Sequence, residues 1–375
     1  MDSRPTTTCR THFYCEDELM TTIAEIAQNL RVSAATVSRA LNDKAGVSAA
    51  VRAQILAEAA RLNFVANDAA RSLATARTDM IAFAVYRSPT SAPLFVDPFH
   101  SQMLFGAEQE LQQQHLLVTT LTDDHIAHPE RWSVARGRAD GVIAVGSLIP
   151  SRFIAALHAR GLPSVLVATA AATASTDTVW SDDRDGARLI AEHLLGHGRQ
   201  RVVVLTGPRD AITNRERCSG FADALRRARV KPLVTLRAAA PSYDAGYDLV
   251  QEALRCRPTA ILATSDALAM GAIDAATSAG LSVPGDLAIT GFEDIEDIGC
   301  DGCITAPLTT ISLPKQHLGR IAARQLLRRI AQPDTPYQRV LVETSIMIRG
   351  SCGCRPAGRA TGSETGQGAA NNGSG

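Results

Sequence analysis

Two different rhythms of apolar residues divide the chain. Between residues 21 and 65 apolar side chains recur every three to four positions over short stretches. Ile23, Ile26, Ala27 and Leu30 form one stripe, Val37 and Leu41 a second, and Val51, Ile55, Ala59 and Leu62 a third. A residue suited to capping a helix precedes each stripe: Thr22, Ser33 and Ser48. Thr22 and Glu25 have the spacing of a capping box, in which each side chain accepts from the other's backbone amide. The pattern predicts three short helices around a small core.

From Met80 onward the rhythm changes. Nearly continuous apolar runs of strand length, such as MIAFAVY (80–86), LLVTTL (116–121), GVIAVG (141–146) and SVLVA (164–168), alternate with longer amphipathic stretches. RVVVLTG (201–207), LVTLRA (233–238), AILATS (260–265) and LAITGF (287–292) repeat the pattern. Helices are predicted between them over 101–114, 151–160, 185–195, 214–228, 243–254 and 266–279. Apolar strands alternating with helices imply parallel sheets covered on both faces. Roughly 270 residues exceed one comfortable core, so two lobes with a cleft between them are expected.

Charge adds little to this picture. The 38 basic residues balance the 38 acidic ones, so nothing draws the whole chain towards nucleic acid. Residues 21–78 hold seven basic and four acidic side chains, a modest positive bias. No run of about 18 apolar residues occurs, and the first twenty residues lack a signal peptide's apolar core. A cytoplasmic protein with no membrane contact is therefore expected.

Eight cysteines scattered over 375 residues do not read as a disulfide framework. Cys300-x-x-Cys303 and Cys352-x-Cys354 would each need two further ligands to hold a metal. No histidine-rich segment follows at zinc-finger spacing, so reduced loop cysteines and no metal are expected. Catalytic motifs are missing too: no glycine-rich dinucleotide turn after the first strand, no phosphate-loop lysine and no nucleophile elbow. The neighbouring carboxylates Asp182–Asp183 and Glu293–Asp294 would point to opposite faces of a strand, which makes poor acid–base pairs. Neither an enzyme nor a cofactor is expected.

The second predicted helix, in VSAATVSRALN (32–42), is unusual in its first turn. Ala34 and Ala35 would let the backbone approach a surface closely, and their methyls suit a thymine methyl. Thr36 and Ser38 offer hydroxyls, and Arg39 is long enough for a bidentate contact to guanine. Two short helices joined by NLRVS would form a helix-turn-helix, whose second helix enters the major groove.

TIAEIAQNLRVSAATVSRALN (22–42) together with LNFVANDAARSLATARTDMIAF (62–83) resembles the lactose-repressor (LacI/GalR) family of bacterial transcription regulators. TAILATSDALAMGAIDAATSAGLSVPGDLAITGFED (259–294) and PLTTISL (307–313) resemble that family's effector domain, which shares its fold with periplasmic sugar-binding proteins. The resemblance runs over nearly all of residues 21–350. It implies an α/β protein with a three-helix helix-turn-helix headpiece, a hinge helix and a two-lobed effector domain with parallel sheets. The corresponding boundaries are a disordered extension at 1–20, a headpiece at 21–66, a hinge and linker at 67–78, an effector and dimerisation domain at 79–352 and a disordered tail at 353–375.

The family's partner is palindromic double-stranded operator DNA, bound by a homodimer. The resemblance places Thr22, Ser33, Ala34, Ala35, Thr36, Ser38, Arg39 and Asn42 of the headpiece at the DNA, with Asn67, Ala70, Arg71 and Leu73 of the hinge. In the family the segment matching Asn67–Thr75 becomes helical only on the operator, and the leucine matching Leu73 wedges into the minor groove. Physics agrees, since a helix of about nine residues is marginal alone in water and an apolar wedge unstacks a base step. No leucine heptads follow Arg349, so a dimer without a tetramerisation helix is expected.

For the cleft, the resemblance names Arg217 as the effector-binding arginine, its planar fork suited to paired polar atoms. Glu293 stands where an aspartate is commoner, Ser265 where an asparagine is frequent, and Phe99, His100, Thr213 and Tyr243 at ligand-facing positions. The implied ligand is a small polar effector, a sugar or sugar derivative. Asp266 reads instead as the N-cap of the following helix. Two departures touch the headpiece: Arg31 replaces a usual turn glycine and Ala66 a usual proline. If position 31 requires a positive φ, arginine there costs on the order of 1 kcal/mol. An orphan regulator answering to a protein partner or to no effector is the alternative, and a free-standing solute-binding protein is disfavoured because the chain carries a headpiece.

Overall fold

The computed structural model describes residues 22–41, 43–64, 77–86, 97–112, 114–132, 138–169, 175–295 and 307–354. The chain divides into two compact units, Met1–Arg77 and Thr78–Gly375. The expected disordered ends, Asn42, the hinge residues Asn67, Ala70, Arg71 and Leu73, and the Cys300–Cys303 pair lie outside the described residues, except that 353 and 354 are described.

In the first unit the three predicted helices form: α1 (Ile23–Leu30), α2 (Ala34–Leu41) and α3 (Ala49–Arg61). The capping box is complete, with the Thr22 amide donating to Glu25 Oε2 at 2.9 Å and the Glu25 amide to Thr22 Oγ1 at 3.3 Å. Ile26, Ala27, Val37, Ala40, Ile55 and Ala59 form the buried core. So small a core needs help at its rim. Arg52 on α3 donates to the backbone oxygens of Ala40 and Lys44 and pairs with Asp43, which fixes the loop after α2. Asn29 donates to Glu58, and Arg61 pairs with it, so that Glu58 is held at about 2, well below the usual carboxylate range.

The second unit begins with a six-stranded sheet, ordered β11-β5-β4-β3-β1-β2. Its strands are β1 (Met80–Tyr86), β2 (His115–Leu121), β3 (Gly141–Val145), β4 (Ser164–Val167), β5 (Asp177–Ser181) and β11 (Arg339–Val342), all paired in parallel. Helices α4 (Pro98–Glu110), α5 (Asp123–Ala127), α6 (Ser151–His158) and α11 (Lys315–Ala331) belong to this lobe. A second parallel sheet, β7-β6-β8-β9, comprises β6 (Val202–Thr206), β7 (Val234–Arg237), β8 (Ala260–Ala263) and β9 (Ala288–Thr290). Around it lie α7 (Asp183–Gly196), α8 (Ile212–Arg227), α9 (Tyr243–Ala253) and α10 (Asp266–Ser278). A short antiparallel pair, β10 (Thr310–Ser312) with β12 (Ser345–Met347), completes it. Strands β3, β4, β6, β8 and β9 are buried at every position, which is why they read as unbroken apolar runs.

The two lobes are not successive halves of the chain. After β10 the chain returns to the first lobe as α11 and β11, then goes back to the second as β12. It therefore crosses between lobes three times, near residues 181–183, 312–315 and 342–345. Two of these passages are joined where the Asp182 amide donates to Val342 O at 2.9 Å. Helix α11 packs against α4 so closely that Gly106 faces the carbonyl of Gln316 and Gly319 that of Met103, leaving no room for a Cβ at either site. Buried Asp177 at the start of β5 accepts from Arg328 at 2.7 Å and Arg329 at 2.8 Å, which locks the end of α11 to the sheet.

Candidate functional site

In the headpiece, the amide of Thr36 donates to Ser33 Oγ at 3.0 Å, so Ser33 caps α2 and fixes its first turn. Ser33, Ala34, Ala35 and Arg39 are exposed, Thr36 and Ser38 are half-buried, and Val37 and Ala40 face the core. The second helix thus turns a small-residue, hydroxyl-bearing face outward. The hydroxyls of Thr36 and Ser33 lie 2.8 Å apart and share a hydrogen bond. Arg31, in the turn before α2, has φ 54° and ψ 39°, the left-handed conformation for which glycine is the usual residue.

In the second unit, a cavity of about 590 Å³ lies between the lobes. Its walls sit at the carboxyl ends of the parallel strands, where ligand sites of open α/β sheets form. Helices α8, α9 and α10 all begin there, so their partly positive N-termini face the space. All seven residues singled out in the sequence line it: Phe99, His100, Thr213, Arg217, Tyr243, Ser265 and Glu293.

Phe99 and His100 come from the first turn of α4, which starts three residues earlier than the spacing predicts because Asp97 caps it and Pro98 follows. His100 Nδ1 lies 2.7 Å from Asp97 Oδ2, which fixes the imidazole. Burial pushes the Asp97 carboxyl up, but His100 and two backbone amides outweigh it and leave Asp97 below its ordinary range. Thr213 and Arg217, four residues apart, share one face of α8. Tyr243 opens α9, donates to Asp274 at 2.6 Å and lines the cavity.

Arg217 is the hub of the site, with only 4% of its surface exposed. Its Nε donates to Asp183 Oδ1 at 2.9 Å, and one terminal nitrogen donates to Thr264 O at 2.7 Å and to Glu293 Oε1 at 2.9 Å. The guanidinium also stacks 4.1 Å over Phe292. Burial works against its charge, yet Asp183 and Glu293 hold its pKa above the ordinary value. Burial pushes Asp183 up as well, against the pull of Arg217. Glu293 goes further: burial drives its carboxyl up to about 7, opposed by Arg217 and assisted by the charge of Asp266.

Glu293 also carries backbone strain, with φ 118°. A hydrogen bond from its amide to Ile311 O at 2.8 Å holds that conformation. The extra methylene relative to aspartate takes its carboxylate to Arg217. Ser265 caps α10, accepting from the Leu268 amide at 3.3 Å. Asp266 is therefore not the N-cap expected from the sequence. It lies one residue later, buried, and accepts from Thr310 Oγ1 at 2.5 Å and the Ile295 amide at 2.8 Å.

Sequence reasoning misses three participants. Asp183 is set aside as half of an adjacent acidic pair; in the structure Asp182 caps α7 and Asp183 turns inward to Arg217. Asp97 orients His100. Asn214, 6% exposed, links Pro208 O and Thr264 Oγ1 beside Arg217. Nothing local marks Asp183, whose partner is 34 residues away. A proline after an aspartate, which does mark a helix start, reveals Asp97.

These two units, a helix-turn-helix and a cleft between parallel sheets, define a class in which a DNA-reading domain is joined to a ligand-binding body. Residues 22–67 match the bacterial regulatory proteins of the lacI family, and residues 191–352 match the periplasmic binding protein-like domain. The ribose operon repressor of Escherichia coli strain K12 is 29% identical over 340 residues, covering 88% of this chain and 100% of its own. The HTH-type transcriptional repressor PurR of Haemophilus influenzae strain PittEE is 30% identical over 345 residues, covering 88% and 98%. Among solved structures, the lac repressor dimer bound to operator and an anti-inducer superposes with a TM-score of 0.77 at 26% identity, over 88% of this chain and 99% of its own. A LacI family regulator from Enterococcus faecium with bound ribose has a TM-score of 0.62 at 26% identity, over 72% and 98%. The chain belongs to the LacI family of bacterial transcription regulators. No helix among the described residues is long and apolar enough to cross a membrane.

Proposed function

We propose that the chain acts as a homodimeric repressor on a palindromic operator, and that a sugar or sugar derivative in the interlobe cleft sets its DNA affinity. The observation that carries the effector half is the convergence of seven side chains from both lobes on one cavity. A polyhydroxylated ligand needs an apolar ring face and paired polar groups. Phe99, Tyr86 and Tyr243 offer the first; Arg217, Glu293, Asn214 and Ser265 offer the second. The ribose-bound relative supports the same class. The exposed Ala34, Ala35 and Arg39 support the DNA half, with the hinge residues Asn67, Ala70, Arg71 and Leu73 completing the contact.

Regulation follows from the three crossovers, which join lobes able to rotate about them. One arrangement brings the paired hinge segments of a dimer to the spacing at which both dock. A ligand shifts that equilibrium only by its differential affinity for the two arrangements. The curated relatives are repressors by name, which supports a regulatory reading. A second reading, with a protein partner and no small effector, draws on the closure of the Arg217 guanidinium by protein groups.

A panel of pentoses, hexoses and their phosphates, titrated calorimetrically into the protein, separates the two. The sugar reading expects one member to bind and Phe99→Ala to weaken it about tenfold or more, the loss of one aromatic stacking face. No binding by any member, with operator affinity unchanged throughout, contradicts it.

A further inference from the structure

Away from the cleft, four side chains with soft-metal ligand atoms converge at the far end of α7. His193 and His197 stand one turn apart at the end of that helix, their rings edge to face with centroids 4.8 Å apart. Cys352 and Cys354 reach the same point from the other end of the chain. There a 3₁₀ turn over Gly350–Cys352 is followed by Gly353 at φ 97°, a conformation that favours glycine and brings the two sulfurs to one side.

Cys354 Sγ lies 3.2 Å from His197 Nε2 and 3.6 Å from His193 Nε2, and the four ligand atoms all lie within 4.8 Å of one another. A tetrahedral ion with arms of about 2.3 Å to sulfur and about 2.0 Å to nitrogen has sulfur–nitrogen edges of about 3.5 Å. The spacing is that of a coordination shell. The Cys354 amide donates to Cys352 Sγ at 3.4 Å, the kind of bond that supports a ligating thiolate. Cys352 is buried, His193 and Cys354 are half-buried and His197 is exposed, so the site is walled on one side and reachable from the other. Both thiols are free of disulfides.

We propose that His193, His197, Cys352 and Cys354 form a tetrahedral zinc site. Two thiolates and two imidazoles are the ligand set that zinc takes in closed, structural sites. Four protein ligands leave no open position, so the ion holds structure and does no chemistry. It ties the turn after β12 to α7, whose other end carries Asp182 at the first crossover and Asp183 on Arg217. The sequence reading dismisses the Cys352–Cys354 pair for want of a histidine segment. That segment lies on α7, with His197 157 residues from Cys354, a separation no spacing rule detects.

The test uses the full chain, purified under reducing conditions without chelator and supplied with zinc. A single tightly held equivalent of zinc per chain is expected, and cobalt in its place gives the intense visible absorption of a tetrahedral, thiolate-bound ion. His197→Ala, at the exposed ligand, and Cys354→Ser each lose the bound zinc and the cobalt bands. Chelator lowers the melting temperature of the native chain but not of these variants. A Cys300→Ser/Cys303→Ser double variant keeps the zinc, which separates this site from the other cysteine pair. Zinc-free native protein, a weak octahedral cobalt spectrum, or zinc retained by a His193→Ala/Cys354→Ser variant overturns the proposal. The first two outcomes are read on the native chain, so they hold even if a variant fails to fold.

Discussion

The outward face of α2 and the floor of the cleft both gather polar side chains, but they hold them in opposite states. On α2, Ala34, Ala35 and Arg39 face solvent, and Ser33 is bonded to its own helix. In the cleft, Arg217 is already bonded to Asp183, Glu293 and Thr264 and stacked on Phe292. A surface that reads DNA gains its polar contacts when the partner arrives, and phosphate and base edges replace water. A buried pocket has no water to fall back on, so its charges are satisfied by the protein before any ligand comes. The headpiece is therefore sensitive to what it meets, and the cleft to what it already holds.

The largest effect should come from breaking the cleft's hub. Arg217→Ala leaves buried Asp183 and half-buried Glu293 without their counter-charge, and urea unfolding at pH 8 should show a loss of about 3–5 kcal/mol. Part of that loss should return at pH 6, where the two carboxyls, both raised by burial, take up protons more readily. A loss below about 1 kcal/mol, the scale of an exposed ion pair, would mean that the network is solvated.

Next comes the pH dependence of Glu293. Its folded-state pKa of about 7 exceeds the ordinary carboxylate value, so the folded protein holds the proton more tightly than the unfolded chain. The contribution is fully present below about pH 4.5 and lost as pH rises through about 7, on the order of 3 kcal/mol in all. Glu293→Gln should flatten that part of the stability–pH curve. A curve of unchanged slope would assign the proton elsewhere.

In the headpiece, Arg39→Ala should weaken specific binding by about 1–3 kcal/mol and relax selection at one base pair per half-site. Non-specific binding should fall by no more than one phosphate-type contact. The smallest effect is a gain. Arg31→Gly relieves the left-handed arginine and should stabilise the headpiece by about 0.5–1 kcal/mol, read as a higher melting temperature. A loss instead would show that the Arg31 side chain contributes more than its backbone costs.

How much of this was legible in the sequence follows the same division. The caps of α1, α2 and α3 are local, and Thr22, Ser33 and Ser48 mark all three starts. The interior strands are legible because burial on both faces writes an unbroken apolar run. β5 escapes notice because it carries Asp177 and Thr178, and the arginines that make Asp177 tolerable in the interior lie some 150 residues on. α11 is equally hard to see, for its arginines and glutamines blur the apolar stripe that Leu318, Ala322 and Leu326 supply. Phe99, Arg217 and Glu293 are legible only through resemblance to a family. The residues that hold them in place, Asp183 above all, are fixed by contacts that only the folded chain brings about.

The measurement that tests the account most directly is selection of bound DNA from a random pool, run in parallel with the native protein and Arg39→Ala. The account predicts a palindrome whose half-sites each lose selection at one base in the variant. Recovery of sequence-free, salt-sensitive binding by the native protein, with or without the sugar panel, would contradict it.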